Sequence, residues 1–293
     1  MKQEERTAKR VELVRKARPT EEGAGVRLMR AFGEVSPLLD PFLMLDDFSS
    51  DDPRDYMAGF PRHPHRGMET VTYMLSGHID HEDSMGNRGT VGPGEVQWMT
   101  AGSGIIHGEM PRPTQGPLQG LQLWINLPRE SKMMAPRYRG IRAEEVPVVA
   151  PSEGIEVKVI AGQFGGNEGP VRDLMVEVEY LDVSMGPSTV FRHATPPGFN
   201  TFAYVLDGKA TFGSSAGTAE RQTLVILGEG DEVVVRAGKA GARFLLVSGR
   251  PLREPVAWQG PVVMSSEEEL EEAFREIQAG TFVRERPQQV SGP

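Results

Sequence analysis

The sequence predicts an all-β protein of two barrels in succession, packed face to face, with one short α-helix near the C-terminus. Three observations carry this. Short apolar runs alternate with Gly and Pro punctuation along most of the chain, the pattern of brief strands joined by turns. Two stretches recur: YMLSG from Tyr73 to Gly77 is echoed by YVLDG from Tyr204 to Gly208, and GEVQWMTAG at 94–102 by GDEVVVRAG at 230–238. A first barrel is thus followed by a worn copy of itself. Clear helical periodicity is confined to SSEEELEEAFREIQAG, so a helix is expected at about 265–279.

Size and composition bound the rest. The 293 residues suit two domains, placed at 1–145 and 150–293, the second including the helix. With 38% hydrophobic and 25% charged residues and no long apolar run, the chain reads as a soluble protein without a membrane span. The first eighteen residues hold seven basic and three acidic side chains but no apolar h-region, so they read as a frayed leader into a strand and not as a secretory signal. A net charge of -9 argues against direct nucleic-acid binding. The lack of cysteine removes disulfides, iron–sulfur clusters and thiol catalysis, and is compatible with a reducing cytoplasm; the chain is expected to be a cytoplasmic monomer.

Taken in order, residues 26–48 read as strands leading into the first barrel, with Asp46 and Asp47 as solvated or hydrogen-bonded turn acids. Residues 67–75 form a strand with Val71 and Tyr73 on one face and Thr70, Thr72 and Met74 on the other. His78 and His81 lie in SGHIDHEDSMG, read as a hairpin loop that turns both rings to solvent at the pocket rim. After a turn at Pro93-Gly94, Val96, Trp98 and Thr100 share one face of the next strand, and Gly102 and Gly104 let the backbone bend before His107. Met57, Met68, Met74, Met85, Met99 and Met110 read mainly as core, with one or two lining the cavity. Phe60 and Trp98 are the aromatic candidates for stacking on a planar substrate. EEVPVVAPSEG at 144–154 reads as the link between domains.

In the second barrel, Ala194 and Pro196 fall where a histidine pair stands in the first, and no histidine–glutamate pair follows Gly238. His193 is read as a packing residue, and no metal is expected there. In the helix, Ser265 with Glu268, or Ser266 with Glu269, makes a capping box; Leu270, Ala273, Phe274 and Ile277 form the apolar stripe, and Gly280 stops it. RERPQQVSGP at the end is expected to be disordered.

Five of the six histidines lie between residues 59 and 111. His63 and His65 are two apart, so on a strand both rings face the same way. His107 and Glu109 repeat that spacing on a later strand that turn signals bring alongside. Three imidazoles and a carboxylate, with no thiolate anywhere, suit a redox-active divalent metal with open positions better than structural zinc. Spacing alone leaves Glu69 as a rival fourth ligand.

FPRHPHRGMETVTYMLSGHIDHEDSMG and GEVQWMTAGSGIIHGEMP, with LDPFLMLDDF at 39–48 and GLQLWINLPRESKMMAPRY at 120–138, closely resemble the metal-binding half of the pirin family in the cupin superfamily. The resemblance implies two cupin (jelly-roll) barrels and a single Fe(2+) on His63, His65, His107 and Glu109, other divalent transition metals being alternatives. It favours Glu109 over Glu69, leaving Glu69 as a pocket acid. It also implies a quercetin 2,3-dioxygenase-type oxidoreductase that cleaves a flavonol with O2 and releases carbon monoxide, with Glu109 as the general base. The alternative it carries is an iron-dependent redox-sensing protein that regulates a protein partner, either in transcription or as a modulator of a metabolic enzyme.

Overall fold

A computed structural model describes residues 6–213 and 218–284, so the stretch beyond Arg284 expected to be disordered lies outside the described residues. The first strands are β1 (Val11–Lys16), β2 (Arg18–Glu22), β3 (Val26–Gly33) and β4 (Phe42–Asp47), followed by a single helical turn, α1 (Pro53–Tyr56). Next come β5 (Phe60–His65), β6 (Met68–Ser76), β7 (Ile79–Asp83), β8 (Arg88–Val91) and β9 (Val96–Thr100). Then follow β10 (Ile105–Pro111), β11 (Gln119–Asn126) and β12 (Arg137–Ile141). A seven-stranded sheet in the order β12-β9-β6-β11-β4-β3-β2 and a four-stranded sheet in the order β5-β10-β7-β8 make the first barrel. The turn acids are not in a turn. Asp46 is buried in β4 and takes a two-pronged ion pair from Arg30 of β3, Nε to Oδ1 at 2.8 Å and Nη2 to Oδ2 at 2.7 Å.

The second barrel holds β13 (Val148–Ser152), β14 (Ile155–Ala161), β15 (Gln163–Phe164), β16 (Asn167–Glu168) and β17 (Val178–Met185). It continues with β18 (Val190–Ala194), β19 (Asn200–Phe212), β20 (Thr218–Glu220), β21 (Thr223–Leu227) and the long β22 (Glu232–Gly249). Its interior is apolar, filled by Leu181, Val183, Phe191, Phe212, Phe244 and Leu246. Each such side chain contributes about 1.5–3 kcal/mol on burial. The supposed link at 144–154 is largely β13, which pairs with β14 across Gly154. His193 is half-buried, with Nε2 3.3 Å from Glu179, and Ser248 donates to the same carboxylate at 2.9 Å.

At both chain ends the compact units run differently from a single cut between 145 and 150. Among the described residues, one compact unit holds 19–33, 42–143 and 253–284; the other holds 6–18, 34–41, 144–213 and 218–252. At the start of the chain, β1 pairs antiparallel with β21, Val14 opposite Val225, so the first strand completes the second barrel. At the other end, the ribbon of β23 (Ala257–Gln259) and β24 (Val262–Met264) and the helix α2 (Glu267–Ala279) belong with the first barrel. Leu270 and Ala273 of α2 pack with Ala257, Val262, Met264 and Phe282, and the half-buried Phe274, Ile277 and Ile106 of β10 close the cluster. Ser266 is the N-cap, accepting from the Glu269 N–H, and Gly280 ends the helix at φ 71°. Among the described residues no helix is long and apolar enough to cross a membrane.

Candidate metal centre

Strands β5 and β10 run antiparallel with His107 opposite His63 and Ile105 opposite His65. Their inward faces converge on one point. His63 Nε2 lies 2.9 Å from His65 Nε2 and 3.0 Å from His107 Nε2, and all three ligand atoms are within 4.8 Å of one another. His65 and His107 are buried, whereas His63 is half-exposed and forms the accessible side. His63 Nδ1 sits 2.8 Å from the Pro61 carbonyl, which only an N–H can satisfy, so the proton is on Nδ1 and the Nε2 lone pair faces the cluster.

Glu109 stands beside this trio. The β5–β10 register slips between His107 and Glu109, a bulge that sets Glu109 opposite Phe60 and re-aims its carboxylate. The carboxylate groups with His107 and with His81, all within 4.8 Å, so His107 belongs to two clusters. Three donors hold it: Thr72 Oγ1 at 3.0 Å and Gln97 Nε2 at 3.1 Å on Oε1, and Gln122 Nε2 at 3.0 Å on Oε2. Behind it, His81 Nε2 is 3.2 Å from Asp83 Oδ2, and its ring stacks on Tyr138 at 4.7 Å.

The donor set fits a divalent cation. With the His63 lone pair pointing inward, His65 and His107 aim Nε2 at one acceptor, and a single proton can satisfy only one of those contacts. A cation at the convergence point takes all three lone pairs, the usual imidazole coordination. Protonation does not relieve the crowding, since burial, and then the neighbouring imidazoles, push His65 and His107 well below 6.5; the Pro261 carbonyl opposes this weakly at His65. In the metal-free fold both rings stay neutral while the unfolded chain takes up protons near 6.5. Stability is therefore full above pH 6.5 and is lost as pH falls below it, by about 1.4 kcal/mol per pH unit for each ring. Chelator-treated protein should melt several degrees lower at pH 5.5 than at 7.5, and His65→Gln should flatten that slope; equal slopes would remove these rings as the cause.

The Pirin family signature matches residues 25–125, and that of the Pirin C-terminal cupin domain matches 180–283. A pirin-like protein of Caulobacter vibrioides is 46% identical over 269 residues, covering 91% of this chain and 96% of the relative. The chain belongs to the pirin family. A Pseudomonas aeruginosa relative with a provisional quercetin 2,3-dioxygenase name is 45% identical, covering 90% of this chain and 94% of its own. Among solved structures, a quercetin 2,3-dioxygenase from Acinetobacter baumannii superposes with a TM-score of 0.87 at 32% identity, over 94% of this chain and 99% of that one. The Escherichia coli pirin YhhW, solved with nickel(II), shares the fold at a TM-score of 0.63 and 22% identity, over 82% and 99% of the two chains.

In this pirin the side chains of Glu69 and Trp98 point elsewhere. Glu69 shares the odd numbering of His63 and His65, but β5 and β6 lie in different sheets and Gly67, at φ 75°, resets the alternation between them. Glu69 thus faces away from the histidines and accepts from Thr100 Oγ1 at 2.6 Å, where burial pushes its pKa up against the pull of Thr100 and Trp98. Trp98 lies opposite Val71 on that same outer face, fully buried, and cannot stack on a substrate. Phe60, half-buried and opposite Glu109, packs against the Met74, Ile79 and Val91 cluster. His81 is also corrected: β7 continues through it to Asp83, and its ring is buried, whereas His78 is exposed as expected. Thr72, Gln97, Gln122 and Trp124 went unrecognised. The available signal was a glutamine at an inward position of two apolar strands, VQWMT and LQLWIN, where burial demands a polar partner.

Proposed function

We propose that this pirin is a metal-dependent dioxygenase that cleaves a flavonol such as quercetin with O2 and releases carbon monoxide. His63, His65 and His107 hold the metal, with Glu109 beside it. The observation that carries the reading is the convergence of three imidazole nitrogens at a half-open point next to a caged carboxylate. The names carried by the Pseudomonas relative and the Acinetobacter structure support it. Fe(2+) suits the nitrogen and oxygen donors and the chemistry; nickel, present in the Escherichia coli structure, suits the same donors.

When bound, such an ion supplies Lewis acidity toward the flavonol oxygens and a route for single electrons to dioxygen. The chain's own residues do the remaining work. Glu109 accepts the proton of the flavonol 3-hydroxyl as general base. Thr72, Gln97 and Gln122 keep its oxygens in place, so no reorganisation precedes proton transfer. The Pro61 carbonyl fixes the His63 tautomer, and Met68, Met99 and Ile105, all fully buried, keep water from the inner side. Iron-loaded protein should consume quercetin in air with carbon monoxide as product, and not under nitrogen. No oxygen-dependent loss at full iron content would defeat the reading.

A further inference from the structure

The strand ribbon that follows the second barrel in sequence belongs to the metal-bearing one, and the alternation of its side chains shows why that matters. Ala257, Val262 and Met264 turn to α2. Trp258 and Val263, paired across the ribbon, turn the other way, onto Met68, Met99 and Ile105 beside the histidines. Trp258 thereby comes to 6.1 Å, centroid to centroid, from Trp124, at an interplanar angle of 53°. Trp124 in turn meets His65 edge-on at 5.1 Å. Both indoles are half-buried, in contrast to the sealed Trp98. Their own N–H groups are already used, Trp124 Nε1 on Gln122 at 3.2 Å and Trp258 Nε1 on the Gly260 carbonyl at 2.8 Å, which leaves the ring faces for a guest.

We propose that Trp258 and Trp124 form an aromatic rim that receives a planar aryl ring beside the three histidines, so that the C-terminal ribbon sets which ring the site accepts. The inference deepens the flavonol reading and rests on it. A flat ring stacked on one indole meets the other at the 53° tilt of the pair, so both rings contribute aromatic contact. A second observation points to the same ligand. Thr70 lies opposite Trp124 across the β6–β11 pair, completely buried, and its hydroxyl has no hydrogen-bond partner. A buried hydroxyl left unmatched beside an aromatic face suits a guest that brings its own polar substituent, as a hydroxylated aryl ring does. The ribbon is no loose flap. Val263 N–H donates to the Arg66 carbonyl at 3.0 Å, and Lys132 Nζ donates to the Val263 carbonyl at 3.1 Å.

The test uses zinc-loaded protein, which binds without turnover, titrated with quercetin and with 2-naphthol as a minimal hydroxyaryl probe. Trp258→Ala and Trp258→Leu should each weaken quercetin about tenfold, while Trp258→Phe stays within about threefold. Leu keeps the apolar contact with Val263 and removes only the aromatic face, so a fault in packing is told apart from loss of stacking. Zinc content should match wild type in all three. Wild-type affinity in the Leu variant at full zinc overturns the rim and leaves the flavonol reading standing. Trp258-dependent binding of 2-naphthol without binding of quercetin keeps the rim and removes the flavonol. A wild-type protein that binds neither probe overturns the rim.

Discussion

Glu109→Gln is expected to cut quercetin turnover by about 10²–10⁴-fold, the usual worth of a general base, while iron content stays close to that of the wild type. The variant is nearly isosteric, so the geometry of the cage survives and only its chemistry changes. The wild-type carboxylate offers two acceptor oxygens to three donors, Thr72, Gln97 and Gln122. An amide offers one acceptor and sets an NH2 against at least one of those donors. The mismatch costs about 1–3 kcal/mol of stability, a modest fall in Tm that is measurable separately from turnover. Three imidazoles remain to hold the ion, and for this reason metal analysis must accompany the kinetics. Loss of iron in step with activity would put Glu109 in the coordination sphere, and unchanged turnover at full iron would remove it from the chemistry. Gln97→Leu is the companion variant. It should lower the rate far less, because Thr72 and Gln122 still hold the carboxylate.

How much of this was legible beforehand differs from residue to residue, for physical reasons. His63, His65 and His107 could be read because strand alternation is local: two residues apart on one strand means one face, whatever the rest of the chain does. Glu69 misled because the same rule was carried across Gly67, where a left-handed residue ends one sheet and starts another. Trp98 and Gln97 show how little separates right from wrong. They are neighbours in GEVQWMTAG, and the choice of inner face depends on the register with β6, where Gln97 meets Thr72 and Trp98 meets Val71. Registers between strands are long-range facts that one strand's text does not contain. The helix α2 was readable because its cap, stripe and stop all lie within fifteen residues of one another, yet its home was not. The stripe says that the helix packs, and nothing in it says on which barrel. The echo between the two halves encouraged a cut at residue 145, whereas β1 and the ribbon each join the other half through pairings that span more than 190 residues.

The strongest test of that exchanged architecture is Lys132. Its side chain is buried in the first barrel, and its ammonium donates to the Gly67 carbonyl at 2.9 Å, Asn126 Oδ1 at 2.6 Å and the Val263 carbonyl at 3.1 Å. Burial pushes its pKa down to about 8, against the weaker pull of Glu254 and Glu269, so at neutral pH it keeps its proton and three N–H groups serve three acceptors. One acceptor lies between β5 and β6, one ends β11, and one belongs to the C-terminal ribbon, so a single cation ties the ribbon to the strands that carry His65 and Trp124. Lys132→Met fills the same space and orphans all three acceptors. Each orphan costs about 1–3 kcal/mol, partly offset because a charge no longer has to be buried, for a net loss of about 3 kcal/mol. At about 2–4 °C per kcal/mol, Tm should fall by about 6–12 °C. The loss should also be local first, with amide exchange rising at Val262 to Met264 before it rises in β17 or β19 of the second barrel. Because Trp258 rides on that ribbon, quercetin affinity of the zinc-loaded variant should fall with it. A Tm within about 1 °C of wild type, with unchanged exchange across 262–264, would mean that the ribbon is held by its packing on α2 and that the buried lysine is not its tether.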